Sequence, residues 1–528
     1  MKTNTANGFF IRKKIGVNIF QYLFVFVKSM QTVYFSSSIE LNYKTLHLIF
    51  AAVKRRQKIV LEDLLVESYA AEGKSIAKFD GKVIFIENTI PGDIANVQLY
   101  KNKKDYAEGF PVEIKKFSAN RITPFCKHFG VCGGCQWQML PYAKQLEYKQ
   151  QQVYDVLSRI GKIQLPEINL IAGAAETRFY RNKIEYSFST KKFIAEDKFT
   201  QMRNAGEDVK SAAYQNVAGF YAKGVFDKVV DIETCHLQAE PTNALRNAIA
   251  DFARGNNFPF YDFRLHTGWL RNMMVRIATT GEIMINIVLA YKDEKRMQLL
   301  FDFVLNKFPQ ITTLLYTING KRNDSIYDLI PQIVKGKGFI TELLENFSFK
   351  ISPKSFFQTN TKQAEVLYSI TRNFTELTGN EIVYDLYCGT GSIGIFISPQ
   401  AKKIIGVEMV DEAVNDAREN AALNNINNAS FYTGDVIKVC DDDFFYRNGK
   451  PDVVIVDPPR AGLHEKLIEK LLQIKASTVV YVSCNPATQA RDINILNEHY
   501  SVEKVQPVDM FPHTHHIENV AQLKLKTD

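Results

Sequence analysis

Glu381-Ile-Val-Tyr-Asp-Leu-Tyr-Cys-Gly-Thr-Gly-Ser-Ile-Gly394 is the stretch that decides the fold. Its first half is an apolar run of strand length. Its second half is a turn with glycine at 389, 391 and 394, where a backbone without side chains can bend tightly and let a ligand approach. Downstream, Ile404 to Glu408 reads as a second strand and Asp411 to Asn424 as a helix with an acid near its start. Ser430 to Tyr432 leads to Gly434-Asp435, Asp452 to Val456 leads to Asp457-Pro458-Pro459-Arg460, and Thr478 to Val482 leads to Ser483-Cys484-Asn485-Pro486. Strands alternating with helices predict a parallel, doubly wound sheet. Ligands of such sheets bind at the carboxyl ends of the strands, where each of these motifs falls.

Upstream the texture differs. From Lys58, Gly81, Ala95 and Ala107 run short alternating apolar and polar segments punctuated by Asn88 and Pro91-Gly92-Asp93. Four or five strands in this space predict a small closed barrel of the OB type. Lys101 to Lys127 holds seven cations (Lys101, Lys103, Lys104, Lys115, Lys116, Arg121, Lys127), which reads either as a solvated strand edge or as a grip for RNA. Tyr142 to Ile160 reads as a polar helix with Leu146, Val153, Leu157 and Ile160 on its apolar side. Trp269 to Ala290 is two alternating runs around Thr279-Thr280-Gly281, a β-hairpin. Arg178 to Lys183 interleaves cations with aromatics, a composition that suits either stacking on unpaired bases or a salt-bridged loop. The whole is expected to be multidomain α/β: residues 1–56 a basic extension, 57–117 the barrel, 118–350 a central mixed α+β domain, and 351–528 the doubly wound domain.

The composition, 46% hydrophobic and 23% charged over 528 residues, is that of globular protein and excludes disorder, collagen-like repeats and a disulfide miniprotein. The net charge of +8 lies entirely in residues 1–56, with nine cations against Glu40; the remainder carries 56 charges of each sign. Global charge therefore does not argue for a nucleic-acid partner, and only local clusters can. Ile15 to Val27 is apolar behind Arg12-Lys13-Lys14, but it is too short to span a bilayer and no small-residue cleavage site follows it. A cytoplasmic protein is expected. Seven cysteines, unevenly placed, do not form a secreted framework, and Cys126, Cys132 and Cys135 look like a metal or cluster site in a reducing compartment.

The chemistry is read from four motifs. The Asp385-x3-Gly389-x-Gly391 turn, with Glu408 placed for ribose hydroxyls and Asp435 for an adenine edge, favours S-adenosylmethionine over a nicotinamide cofactor, and no Walker lysine is present. Arg460 after Asp457-Pro-Pro, where amino-methylating enzymes have an aromatic, argues against exocyclic amine methylation. Cys484 lies at a strand end before proline, where a nucleophile faces substrate. Phe511-Pro-His513-Thr-His515-His516-Ile-Glu518 offers three histidines that would diverge on a strand, so a carboxylate base near the thiol is the better reading. Carbon 5 of uracil is a poor nucleophile until a thiolate adds at carbon 6, and a base must then remove the carbon 5 proton. One cysteine, one carboxylate and a methyl donor suffice.

Ser483-Cys-Asn-Pro-Ala-Thr with Arg491-Asp492, Asp457-Pro-Pro-Arg-Ala-Gly, Asp385-Leu-Tyr-Cys-Gly-Thr-Gly and the closing His513-Thr-x-His-x-Glu resemble the RNA uracil-5-methyltransferase family over residues 57–528. The resemblance implies Cys484 as nucleophile and Glu518 as base. It places Gln358, Tyr387, Gly389, Glu408 and Asp457 at the methyl donor, together with Ser392 and Asp435, which stand where the family often has Asn. It also implies a Rossmann-like methyltransferase domain and an RNA-binding TRAM barrel. Cys126, Cys132, Cys135 and distant Cys235 are similar to the cysteines of the ribosomal-RNA members, where they hold a [4Fe–4S] cluster; on count alone four thiolates also suit zinc. The implied substrate is large-subunit ribosomal RNA. The alternatives are tRNA uracil methylation by the same chemistry and an inactive RNA-binding iron–sulfur protein.

Overall fold

The computed structural model describes residues 59–527; the basic extension expected over residues 1–56 lies outside them. In the C-terminal part the strands run in the order Ala429–Thr433, Lys403–Glu408, Ile382–Leu386, Val453–Val456, Thr478–Ser483, Glu518–Leu525 and Tyr500–Val508. The first five are mutually parallel, and Glu518–Leu525 runs antiparallel to both of its neighbours. The chain order reverses between Ile382–Leu386 and Val453–Val456, which opens a crevice at their carboxyl ends.

Both faces of this sheet are covered, so its strands are apolar throughout rather than alternating. Val383, Val453, Ile455, Val480, Val482 and Val520 point to one face, against the helices Thr361–Thr375, Ser392–Ile397 and Asp411–Leu423. Tyr384, Val454, Val456, Val479, Tyr481 and Ala521 point to the other, against Glu465–Ile474 and Pro486–Leu496. Burying one such side chain contributes about 1.5–3 kcal/mol, and a strand buried on both faces is fixed in register accordingly.

The helix Tyr142–Val156, far upstream in sequence, adds Val153 to this second core. Its buried stripe is Gln145, Lys149 and Val153, whereas Leu146 is only partly covered. The inward face keeps Val153 and Leu157 of the expected apolar side, leaves Ile160 exposed, and adds two polar members.

The central sheet has the order Gln332–Lys335, Thr313–Ile318, Ile283–Leu289, Leu270–Ile277, Lys183–Ser189, Val217–Tyr221 and Val229–Asp231. The expected hairpin is its core pair, Leu270–Ile277 against Ile283–Leu289. The helices Thr242–Gly255 and Glu294–Lys307 pack into the same core. In the N-terminal part, Val60–Leu65 pairs with Ile94–Asn102, while Ser68–Tyr69, a few residues on, pairs with Ser75–Phe79. The amides of Val66 and Glu67 bond to the Asp93 and Ile76 carbonyls, so one bent strand bridges both edges of the sheet and closes it. Lys82–Ile86 and Tyr106–Lys116 complete the circuit as a parallel pair. Among the described residues no helix is long and apolar enough to cross a membrane.

Candidate active site

Strand parity builds the site. Successive side chains alternate faces, so the residues that extend the face of Val383, Ile455 and Val482 beyond the sheet are fixed by counting. Asp385 follows Val383, Asp457 follows Ile455, Cys484 follows Val482, and Glu518 precedes Val520, each by two residues on the same face. Three of these strands present their carboxyl ends, and the antiparallel fourth presents its start, so all four side chains gather at one edge. The ladder between Thr478–Ser483 and Glu518–Leu525 ends at Ser483 opposite Asn519. The same register continued by one residue sets Cys484 opposite Glu518, where directly opposed Cβ atoms stand about 4.5–5.5 Å apart.

The electrostatics agree with this crowding. Burial pushes the Cys484 thiol up to about 11, with the Glu518 and Asp457 charges adding to the rise and Arg460 opposing it. Burial raises the Glu518 carboxyl well above the usual carboxylate range, again with Asp457 adding and Arg460 opposing. Burial alone holds Asp457 up at about 7. A cation entering this space favours the ionised form of every member.

Beside it lies the glycine turn. Tyr387, Gly389 and Gly391 all have positive φ (65°, 54° and 75°). At Gly391 a Cβ would meet the Phe431 ring at 2.9 Å, so glycine is required there, while at Gly389 it would meet nothing within 4 Å, which leaves an open backbone cradle. Asp385 accepts from the Gly394 amide at 2.9 Å, its other oxygen is buried without a partner, and burial raises it to about 7. Glu408 accepts from the amides of Met409, Val410 and, at 3.2 Å, Gly389. Asp435 caps the helix Val436–Val439, the Ser392 hydroxyl meets the Tyr368 hydroxyl at 3.0 Å, and Gln358 is buried at the end of its loop. An open cradle flanked by acids fits a cationic nucleoside.

Two loops of the site are held by residues outside the doubly wound sheet, to which the sequence pattern gave no such role. Arg276, from the central sheet, donates to the Ser355 carbonyl at 2.6 Å, and Asn182 donates to the Gln358 carbonyl at 2.9 Å. The loop Asp509–His516, which runs into Glu518, is gripped by the helix Tyr142–Val156. The Tyr142 hydroxyl donates to Asp509 at 2.8 Å, Lys149 pairs with Asp509 at 2.6 Å with both side chains fully buried, and Gln145 accepts from the His513 amide at 2.9 Å. The spacing i, i+3, i+7 is the only signal, and on a helix rich in Lys and Gln it reads as a solvated face.

The histidines lie in a turn before the strand, not on it, so they do not diverge as strand residues would. His515 and His516 have ring centroids 4.3 Å apart, yet each contacts a different protein group, Gln136 and Arg460 respectively. Burial lowers all three, His513 and His515 to about 4 and His516 to about 3.

Cys126, Cys132, Cys135 and Cys235 line one cavity of about 480 Å³ beside the central sheet. The Gly133 amide reaches the Tyr221 carbonyl there, and the Gln136 and Trp137 amides share the His513 carbonyl at 2.8 and 3.0 Å. Among the described residues, no three His, Cys, Asp or Glu side chains group closely enough to hold a metal ion. Cys388 is buried as a packing residue, and Cys440 is buried where the helix Val436–Val439 ends against the core.

The expected RNA grips are partly spent on the protein itself. Lys101 pairs with Glu108, Lys115 with Asp63, Arg121 with Asp93 and Lys127 with Glu233; Lys103, Lys104 and Lys116 have no ion pair among the described residues. Arg178 lies over the Phe125 ring at 3.8 Å and Lys183 pairs with Glu185, while Arg178 and Phe179 stay exposed.

A doubly wound sheet with a glycine cradle and acids at its carboxyl edge defines the class: an S-adenosylmethionine-dependent methyltransferase. Residues 331–526 match the family described as tRNA (Uracil-5-)-methyltransferase, and residues 61–112 match the TRAM domain. The chain belongs to the RNA (uracil-5-)-methyltransferase family. It is 49% identical over 460 residues to an uncharacterized RNA methyltransferase of Bacteroides thetaiotaomicron, covering 87% of this chain and 100% of that one. With an uncharacterized RNA methyltransferase of Porphyromonas gingivalis it shares 44% identity over 467 residues, covering 88% and 100%. The solved structure of the Pyrococcus abyssi tRNA (uracil-54, C5)-methyltransferase in complex with S-adenosyl-L-homocysteine is similar with a TM-score of 0.67 and 27% identity, covering 87% of this chain and 100% of that one.

Proposed function

We propose that the protein methylates carbon 5 of a uridine in large-subunit ribosomal RNA in the cytoplasm, with Cys484 as nucleophile and Glu518 as base. The observation that carries this reading is the ladder register, which continued by one residue sets the thiol against the carboxyl. Bound S-adenosylmethionine supplies an electrophilic methyl group, and Gln358, Tyr387, Gly389, Ser392, Glu408, Asp435 and Asp457 would hold it. The Cys484 thiolate would add to carbon 6 and move ring electrons onto carbon 5 as an enolate, which would take the methyl group as the donor's sulfur–methyl bond breaks and the neutral thioether leaves. Glu518 then removes the carbon 5 proton, the carbon 5–carbon 6 double bond re-forms, and the thiolate leaves. The donor's positive charge and Arg460 both favour ionisation of a thiol that burial otherwise keeps protonated. The target base must leave its stack to reach the sulfur.

Cys126, Cys132, Cys135 and Cys235 are assigned to a [4Fe–4S] cluster. What supports this reading is that all four line one cavity and that their spacing, Cys-x5-Cys-x2-Cys with a distant Cys, resembles that of the ribosomal-RNA members. The TRAM match and the cysteine spacing support ribosomal RNA, while the likeness to the Pyrococcus abyssi enzyme favours the second reading, tRNA.

The test is a covalent trap. Protein incubated with methyl donor and 5-fluorouridine-substituted 23S or tRNA transcript should yield a denaturation-resistant adduct with the ribosomal transcript, and Cys484→Ala none. An adduct with tRNA alone transfers the substrate assignment to tRNA, and absence of adduct with both refutes the thiolate route.

A further inference from the structure

Buried Arg271 on the central strand Leu270–Ile277 organises a loop that the methyl transfer itself does not use. Its guanidinium donates to the carbonyls of Asn319 and Lys321 at 2.6 Å each, and to the Asn323 carbonyl and the Asp324 carboxylate at 2.9 Å each. Asn319 closes the same turn by donating to the Asn323 carbonyl at 2.9 Å. A loop wrapped on one buried cation is preorganised, so the segment it leads into is presented at little entropic cost. That segment, Ile326 to Ile330, turns large side chains outward: Tyr327 is 67% and Ile330 76% exposed. Interior apolar residues need no such scaffold, whereas exposed ones on a rigid mount suggest a partner.

The tongue adjoins the active-site loop. Lys354 donates from Nζ to the Tyr327 carbonyl at 2.9 Å, and two residues on, Phe356 is 69% exposed, just before buried Gln358. Arg276, which holds the Ser355 carbonyl, lies within the field of the Tyr327 phenol. Lys354 and Arg322 have no carboxylate partner among the described residues; Asp328, the nearby acid, is paired with Lys321. Exposed aromatic surface flanked by unpaired cations and continuous with the catalytic edge matches unpaired nucleotides, whose bases stack while their phosphates meet the cations.

We propose that Tyr327 and Ile330, with Arg322 and Lys354, form a stacking ledge for single-stranded nucleotides flanking the target uridine. This rests on the uridine-methylation reading and adds that the substrate is unpaired beside its target as well as at it.

The test uses the full chain and two fluorescent probes, a ten-nucleotide oligouridine and the same strand in an A–U duplex. Stacking is worth about 5- to 150-fold in affinity per base. Tyr327→Ala should weaken oligouridine binding by a factor in that range, Tyr327→Phe should stay within about twofold of wild type, and duplex binding should be unchanged. Equal weakening on both probes, or oligouridine binding unaltered in Tyr327→Ala, overturns the ledge; the second outcome leaves the surface to a protein partner. Adduct formation with 5-fluorouridine RNA is scored separately. An intact adduct with unaltered oligouridine binding sinks the ledge alone, and a lost adduct in wild type with the predicted binding pattern sinks only the methylation reading.

Discussion

Replacing Lys149 by Met should loosen the loop that carries the proposed base. The ammonium lies 2.6 Å from Asp509 with neither side chain exposed. Burial pushes the Lys149 pKa down, and the Asp509 charge is what opposes that shift. Removing one partner of a buried pair strands the other, at about 3–5 kcal/mol. Asp509 would keep the Tyr142 hydroxyl at 2.8 Å and the Phe511 amide at 3.2 Å, which places the loss near the lower end, about 3 kcal/mol. Amide hydrogen exchange reads this locally, without treating a multidomain chain as two-state. The Trp137 amide on the His513 carbonyl and the His513 amide on Gln145 report on the loop. Both should exchange on the order of 100-fold faster in Lys149→Met, since 1.4 kcal/mol is tenfold. Lys149→Met/Asp509→Asn, with no stranded charge, should recover most of that loss. An acceleration below about fivefold, or a double variant as fast as the single, would refute the claim that this pair holds the loop.

Glu518→Gln should still permit methyl transfer but slow release of the thiolate, so a methylated protein–RNA adduct should accumulate on denaturing gels; turnover at the wild-type rate would move the base elsewhere. Asp385 and Asp457 are held at about 7 in the folded protein, well above their usual range. Between about pH 4 and 7 the native state thus binds more protons than the unfolded one, and stability should fall as pH rises through that window. Binding of the cationic donor should expel those protons, so its affinity, followed by calorimetry, should rise from about pH 5.5 to about 8, and Asp457→Asn should flatten the rise. Cys235→Ser should lower bound iron after anaerobic reconstitution while methyl-donor affinity stays within about threefold of wild type; undiminished iron would remove Cys235 from the ligand set.

The doubly wound sheet was legible because its strands are buried on both faces and so read as continuous apolar runs ending in Gly, Pro or Asp. That a carboxylate lies near Cys484 was expected from the sequence, whereas the register that sets Glu518 opposite it was not, because register belongs to strand pairing rather than to either strand alone. Tyr142, Gln145 and Lys149 escaped because a buried polar residue differs from a solvated one only in its partner, and here the partners lie some 360 residues away, as with Lys149 and Asp509. The cations of the barrel edge were visible, but which of them remain free was not, since Glu108 alone takes both Lys74 and Lys101.

The apposition of Cys484 and Glu518 carries a rule about tolerated change. Both ride on a two-strand ladder in which a slip of one residue would turn Glu518 from the thiol to the opposite face of the sheet. A single-residue insertion within Thr478–Ser483 or at the start of Glu518–Leu525 would place the thiol and the carboxyl on opposite faces of the sheet. Insertion scanning across this region should therefore separate the loss of chemistry from the loss of fold, with an even–odd alternation in the surviving activity.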